Sequence, residues 1–328
     1  MRTRAPGRVN LIGDHTDYTG GLVFPMAINR WTHVEGDITA DTVTLSSTDV
    51  EGTVRFAIGA PFDPDMQPSW GRYVSAVASV VNPQNGITGT VSSDVPVGAG
   101  LSSSAALEVA VALALNDGIS STSLALLMQQ AERIATGVPT GIMDQLCIVS
   151  AREGHGTLID CGTLGVEHVV IPDDTEIVVR FVAHRTLEGS EYTDRVRECA
   201  AAESIIGPLR TATPVDAATI DDPVVAGRAR HVTTENQRVR DFAAALATGD
   251  FAGAGDLMRA SHESLSRDFG VSTPQMDSVV ADLCATRGVH GARMTGGGFG
   301  GCVVALCEPG AAIDGWRVTP VGAAQRLD

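Results

Sequence analysis

Four places in the chain combine reactive residue types with a spacing that lets them act together. The first is Pro96-Val-Gly-Ala-Gly-Leu-Ser-Ser-Ser-Ala-Ala, residues 96–106. Glycine lets a backbone approach a ligand closely, and the helix predicted to follow offers unpaired N–H groups and the positive end of its dipole. Together these suit a polyphosphate, with serine hydroxyls for phosphate oxygens or a magnesium ion. An N-capped core helix after a glycine turn carries the same signature. The second is Thr295-Gly-Gly-Gly-Phe-Gly-Gly, where five glycines in six positions cost backbone entropy unless the chain bends sharply or touches something. It reads equally as a tight loop before a buried strand. The third is Gly7-Arg-Val-Asn-Leu-Ile-Gly-Asp-His-Thr-Asp-Tyr, which crowds Asp14, His15 and Asp17 into one turn. Such groups hold sugar hydroxyls, ligate metals, or simply form turns. The fourth is Asp144, a lone carboxylate among apolar neighbours in Gly141-Ile-Met-Asp-Gln; it is either functional or a helix-capping acid.

The elements that must position these residues follow from hydrophobic periodicity. Val9–Ile12, Leu22–Ile28, Thr42–Ser46, Thr53–Ile58, Ile87–Ser92, Gly156–Asp160, Glu176–His184 and Cys302–Cys307 read as strands. Helices are predicted over Tyr73–Val81, from the serine block through Leu115, and over Ser123–Thr136, with a further apolar pattern from Ile142 onward. The second half turns helical over Tyr192–Ile206, Arg228–Thr248, Ala254–Ser266 and Met276–Arg287. Each glycine-rich block therefore sits at a junction between elements, where backbone groups are exposed. A domain boundary is expected between Leu164 and Pro172.

Composition narrows the chemistry. The chain has 328 residues, 23 basic and 39 acidic side chains, and a net charge of -16. An acidic surface of this kind repels nucleic-acid phosphates and anionic lipid, so neither a nucleic acid nor a membrane is expected as partner. There is no lysine; every one of the 23 basic residues is arginine. That excludes a Walker A lysine, the strand lysine of protein kinases and a lysine Schiff base. The six cysteines include no Cys-x-x-Cys pair and read as reduced, structural thiols. The N-terminus has no apolar stretch after its arginines and no run approaches the length that spans a bilayer, so a cytoplasmic protein is expected. No Gly-x-Gly-x-x-Gly follows an early strand, which excludes a Rossmann-type dinucleotide site.

In this order the blocks resemble the GHMP small-molecule kinases, and Gly7–Ile28 resembles the galactokinase branch of that family nearly residue for residue. Pro96–Ala106 is similar to the family's ATP loop and Arg293–Cys302 to its third motif. Glu132, Gly137-Val-Pro-Thr-Gly-Ile-Met-Asp-Gln, Ser190-Glu-Tyr-Thr-Asp-Arg, His231–Arg240 and Ser261-His-Glu-Ser-Leu also fit, so the resemblance covers almost the whole chain.

The resemblance implies an α+β, two-domain fold with the active site in the interdomain cleft. Residues 1–168 would form an N-terminal domain like the second domain of a small-subunit ribosomal protein, with a left-handed βαβ crossover against the usual right-handed rule. Residues 169–328 would form a ferredoxin-like C-terminal domain. The implied reaction is ATP-dependent phosphorylation of the anomeric hydroxyl of galactose, with galactose and ATP as partners, Mg2+ as metal, and a monomer as the working unit. Matched residue by residue, Asp144 and Arg8 stand at the catalytic aspartate and its arginine. Asp14, His15, Thr16, Asp17, Gly141 and Tyr192 stand at sugar contacts. Gly98, Ala99, Gly100, Leu101, Ser102, Ser103 and Ser104 form the implied ATP loop, with Ser104 and Glu132 as magnesium ligands. Such a design needs no Walker lysine, because phosphoryl transfer is mostly positioning and charge neutralisation.

The chain departs from the family pattern at Asp14, where glutamate is usual, at Thr140, where cysteine is common, and at Thr19, where asparagine is common. Other members of the family, acting on N-acetylgalactosamine, another sugar or mevalonate, are the rival enzymes, though His15-Thr-Asp-Tyr disfavours the non-sugar ones. A catalytically silent sugar sensor would show damage at Asp144, Arg8 or the serine loop, and none is present.

Overall fold

β1 (Arg2–Ile12) and β2 (Leu22–Thr39) form a long antiparallel pair whose connecting turn carries Asp14, His15 and Asp17. The computed structural model describes residues 1–184 and 190–328. Both strands are longer than the apolar pattern predicts. In β1 the additional residues alternate Arg2 and Arg4 outward with Thr3 and Ala5 inward, a period-2 pattern that arginine content obscures. Outside, Arg2 bonds Glu35 and Arg4 lies over the Trp31 ring.

The sheet grows from this pair. Its strand order is β12 (Gln325–Arg326), β1, β2, β5 (Gly86–Ser93), β3 (Thr42–Ser47) and β4 (Thr53–Ala57), with β6 (His155–Asp160) pairing both β2 and β7 (Gly165–Val170). Among the described residues only β3 and β5 pair in parallel; the chain between them passes through β4 and α1 (Gly71–Val81). α2 (Ser103–Leu115) and α4 (Met143–Ser150) pack on the sheet, and α3 (Ser121–Thr136) packs against α1, α2 and α4. α2 is apolar around its circumference because it lies between β1 and α1, α3 and α4; its alanines let the neighbours approach. Positioned this way, the N-termini of α2 and α4 both point at the middle of β1.

The second half is built on β8 (Glu176–Ala183), β9 (Val289–Thr295), β10 (Gly301–Cys307) and β11 (Trp316–Val318), in the order β11-β8-β10-β9 with every pairing antiparallel. That is a ferredoxin-like order. The crossover from β8 to β9 is long and helical: α5 (Ser190–Ile206), α6 (Pro214–Ala217), α7 (Pro223–Thr248), α8 (Phe251–Ser264) and α9 (Pro274–Cys284). The crossover from β10 to β11 is a loop, not a helix, because Pro309, Gly310 and Gly315 break it. The long helix α7 starts with Asp222 capping and Pro223 in its first turn, and ends on Gly249 in the left-handed conformation.

β7 ends at Val170, within the 164–172 stretch expected to hold a domain boundary, and pairs with β6 of the first sheet. The C-terminal residues also return to the first sheet: Val321 N–H donates to Ala27 O at 3.1 Å, Ala324 N–H to Ile148 O at 2.9 Å, and β12 pairs with β1. One hydrophobic core runs across both halves, joining Val9 and Phe24 to Phe242, Met258 and Val304. All six cysteines are free thiols. Among the described residues no helix is long and apolar enough to cross a membrane.

Candidate functional site

The site forms where β1 passes beneath the two helix N-termini. Gly7 makes the close passage possible, since a Cβ there would lie 2.9 Å from Leu101 O. The next residue, Arg8, donates its backbone N–H to Leu101 O at 3.1 Å. Its buried guanidinium grips Asp144 with two hydrogen bonds, from Nε at 2.8 Å and Nη2 at 2.6 Å, and donates from Nη1 to Gly100 O at 2.7 Å. Burial alone would lower the Arg8 pKa, but the Asp144 carboxylate outweighs it and holds the guanidinium charged. Asp144 lies in the first turn of α4, where the helix dipole also favours a carboxylate. The Ser102 hydroxyl donates a third, short hydrogen bond to it.

The serine loop bends as its glycines predicted. Gly98 and Gly100 have φ of 73° and 76°, and Ser102, the N-cap of α2, has φ of 60°. Gly98, Gly100, Ser102, Ser103 and Ser104 face a cavity of about 110 Å3; Ala99 and Leu101 are turned into the core instead. Ser104 Oγ donates to Glu132 Oε1 at 2.8 Å, and Gln145 Nε2 donates to Glu132 Oε2 at 2.7 Å. Burial, then the Asp144 charge, raises the Glu132 pKa, against the hydrogen bonds from Ser104 and Gln145. Behind them Glu108 is fully buried; burial and then the Glu132 charge push its carboxyl well above the usual range. A hydroxyl and a carboxylate suit a hard divalent cation that takes its other ligands from phosphate and water. Among the described residues no cluster of three or more His, Cys, Asp or Glu could hold a metal by itself.

The β1–β2 turn supplies the opposite wall. His15 adopts φ of 64°, rare for a side-chain-bearing residue, which brings its ring over Phe269 at 4.7 Å and toward Tyr192 at 5.5 Å. Its Nδ1 lies 3.1 Å from the Tyr18 hydroxyl. Asp17 faces the cavity and abuts Gly141. Burial, then the Asp144 charge, pushes the Asp17 carboxyl up to about 7, against backbone N–H bonds from Tyr18 and Met143. His15, Asp17, Gly141 and Tyr192 thus converge beside Asp144, as the resemblance implies.

Two expected sugar contacts behave differently. Thr16 is fully buried, and its hydroxyl bonds the Gly13 and Leu22 carbonyls at 2.9 and 2.6 Å. It closes the turn and does not line the cavity; a threonine whose hydroxyl is within reach of two local carbonyls satisfies them first. Asp14 does reach the cavity wall, but its carboxylate is already engaged: Oδ1 accepts from Gly296 N–H at 3.0 Å, and Oδ2 lies 2.6 Å from Arg293 Nη2. Burial raises the Asp14 pKa, and the Arg293 charge opposes it.

Arg293, absent from the predicted site, anchors this region. It is fully buried on β9, between Asp14 and the buried Glu235 of α7, whose Oε1 is 4.0 Å away. Burial would raise Glu235, but Arg238, His231 and Arg293 bring it down to about 2. Its Oε1 also accepts from Gly13 N–H at 3.0 Å, and Thr295 Oγ1 donates to Asn10 O at 2.8 Å. The third glycine block follows directly, and Gly296 and Gly297 complete the cavity. Arg293, Gln145 and Glu235 lay inside recognised blocks without being singled out; Glu108 carried no signal, since its partner Glu132 is distant in the chain.

Past Gly98, Ser103, Ser104, Glu132, Val138 and Thr140 the cavity meets a larger groove of about 850 Å3, also lined by Trp70, Tyr73, Val91 and Val97.

Comparison with known proteins places the same segments in families. Residues 1–36 match the galactokinase galactose-binding signature, residues 72–152 the GHMP kinase N-terminal domain and residues 242–317 the GHMP kinase C-terminal domain. The fold is similar to that of galactokinase from Lactococcus lactis solved with galactose, with a TM-score of 0.90 and 28% identity over 99% of this chain and 95% of that one. Mevalonate kinase from Methanococcus jannaschii is similar with a TM-score of 0.72 and 20% identity, covering 98% of both chains. Phosphomevalonate kinase from Streptococcus pneumoniae shares the fold at a TM-score of 0.64 and 14% identity, over 94% of this chain and 92% of its own.

Proposed function

We infer that this chain, which belongs to the galactokinases of the GHMP kinase family, transfers the γ-phosphoryl group of ATP to the anomeric hydroxyl of galactose, giving galactose 1-phosphate and ADP. The observation that carries this reading is the Arg8–Asp144 ion pair, set at the meeting point of a glycine–serine loop and a turn of sugar-binding residue types.

Galactose sits in the smaller cavity, against His15, Asp17, Gly141 and Tyr192. Its anomeric hydroxyl faces Asp144. The nucleotide occupies the larger groove, with its base toward Trp70 and Tyr73 and its phosphates over Gly98, Gly100, Ser103 and Ser104. The α2 N-terminus and the loop N–H groups meet the phosphate charge there. Ser104 and Glu132 would hold a magnesium ion, which neutralises phosphate charge when bound.

The anomeric oxygen attacks the γ-phosphorus as Asp144 takes its proton. The bond from phosphorus to the bridging oxygen breaks, and ADP leaves with that electron pair. Arg8 orients the Asp144 carboxylate through its two hydrogen bonds and offsets the charge that develops between donor and acceptor. Every group needed comes from one chain, so a monomer suffices. Free thiols and a need for ATP fit a reducing compartment such as the cytoplasm.

The test is ADP release from purified protein with magnesium-ATP across galactose, N-acetylgalactosamine, 2-deoxygalactose, glucose, arabinose and mevalonate. Best turnover with galactose is expected. Best turnover with another sugar moves the substrate within the same mechanism, and ATP binding without turnover of any of them overturns the reading.

A further inference from the structure

Ser102 stands in the loop that the proposed function gives to nucleotide phosphates, yet its side chain does something else. It is the N-cap residue of α2, and its hydroxyl makes no capping bond to its own helix. The hydroxyl instead donates to Asp144 Oδ2 by a short hydrogen bond. Its backbone is held at φ of 60°, a left-handed conformation that disfavours any residue with a Cβ. Glycine would fit that backbone without strain and occurs at Gly98 and Gly100 in the same loop. A serine that neither caps its helix nor suits its backbone is retained for its hydroxyl, and that hydroxyl is committed to the carboxylate.

The neighbouring loop residues hold the other member of the pair. Gly100 O accepts from Arg8 Nη1 at 2.7 Å, and Leu101 O accepts from the Arg8 backbone N–H at 3.1 Å. Three consecutive residues therefore engage both sides of the Arg8–Asp144 pair. Arg8 fixes the carboxylate plane with two bonds, and Ser102 restrains Oδ2 from a third direction. A carboxylate held from three directions keeps one orientation toward the acceptor hydroxyl, where small misplacements are costly to rate.

We propose that Ser102 is a positioning residue for Asp144, acting on the sugar-acceptor side of the reaction, and is not a nucleotide ligand. The proposal rests on the galactokinase reading above. Ser103 and Ser104 are left to face the phosphates.

Ser102→Gly is the informative variant, because it removes the hydroxyl while relieving the left-handed backbone; Ser102→Ala removes the same group but keeps the strain. Steady-state kinetics with galactose and ATP, paired with calorimetric binding of magnesium-ATP, separate the two roles. Ser102→Gly should lower kcat about tenfold, the scale of one hydrogen bond to a charged group, with nucleotide affinity and melting temperature unchanged. Loss of nucleotide affinity, alone or together with kcat, overturns the proposal, and so does a variant with both unchanged. Wild-type protein that turns over no sugar would instead defeat the galactokinase reading, a result visible before any variant is made.

Discussion

Gly141 and Asp17 occupy space that leaves no room for a side chain between them: a Cβ built on Gly141 would lie 1.8 Å from Asp17 Oδ2 and 2.1 Å from its Cγ. Gly141 also precedes α4, which carries Asp144. Gly141→Ala must therefore displace either the Asp17 carboxylate or the start of that helix. The expected outcome is a rise in galactose KM of about tenfold or more, from misplacement of a binding carboxylate. Kinetics alongside a thermal melt decide it; a variant with wild-type KM would remove Asp17 from the sugar site.

Removing the guanidinium partner of Asp144 leaves a carboxylate with only Ser102 to hold it. Arg8→Ala should lower kcat on the order of 10²-fold or more, the usual scale for losing a charge-stabilising donor in an active site. Galactose affinity, measured by equilibrium binding, should change far less. The opposite split, with affinity lost and kcat kept, would make Arg8 a binding residue. Asp144→Asn tests the base directly: normal turnover would show that the carboxylate only orients the hydroxyl.

The raised Asp17 makes a pH-dependent claim whose sign is fixed. Its carboxyl is pushed from 3.8 up to about 7, by burial first and the Asp144 charge second. Between those values the unfolded chain is ionised while the folded protein retains the proton, so stability falls as pH rises through this window and levels off above it. Asp17→Asn removes that penalty. Its melting temperature should exceed that of the wild type by more at pH 8 than at pH 5. An equal or reversed difference would show that Asp17 ionises normally in the folded protein.

Arg293 holds two buried carboxylates, Asp14 and Glu235, and is itself fully buried. Arg293→Met keeps much of the volume but strips Asp14 of its countercharge. A loss of about 3–5 kcal/mol in unfolding free energy is expected, the usual cost of breaking a buried pair from one side. Adding Asp14→Asn should recover part of it. A single variant as stable as wild type would mean that Arg293 is not paired in solution.

Ser104 and Glu132 are joined by a 2.8 Å hydrogen bond beneath the loop. If they hold the cation, Glu132→Gln should raise the magnesium concentration for half-maximal rate by about tenfold, and weaken manganese binding measured by electron paramagnetic resonance with the nucleotide present. Unchanged magnesium dependence would take Glu132 out of the metal site.

What the sequence determined by itself lies in contiguous blocks. Gly98, Gly100 and the serines after them specify a bent loop entering a helix, because backbone preference and helix polarity are local properties. The absence of lysine excluded the Walker and protein-kinase designs, and the runs around His15 and Asp144 carried the resemblance to the GHMP kinases, since residue types and their order are read without a fold.

The tertiary structure decided which partner each polar group meets. Thr16 turned inward to its own turn, Asp14 to Arg293 and Gly296, and Ser102 to Asp144. The return of residues 320–327 to the first sheet was likewise invisible. The reason is physical: these contacts join segments far apart in the chain, and they exist only once β1, β9, α2 and α4 pack around a shared core. Residue type limits what a side chain can bond; packing selects the partner.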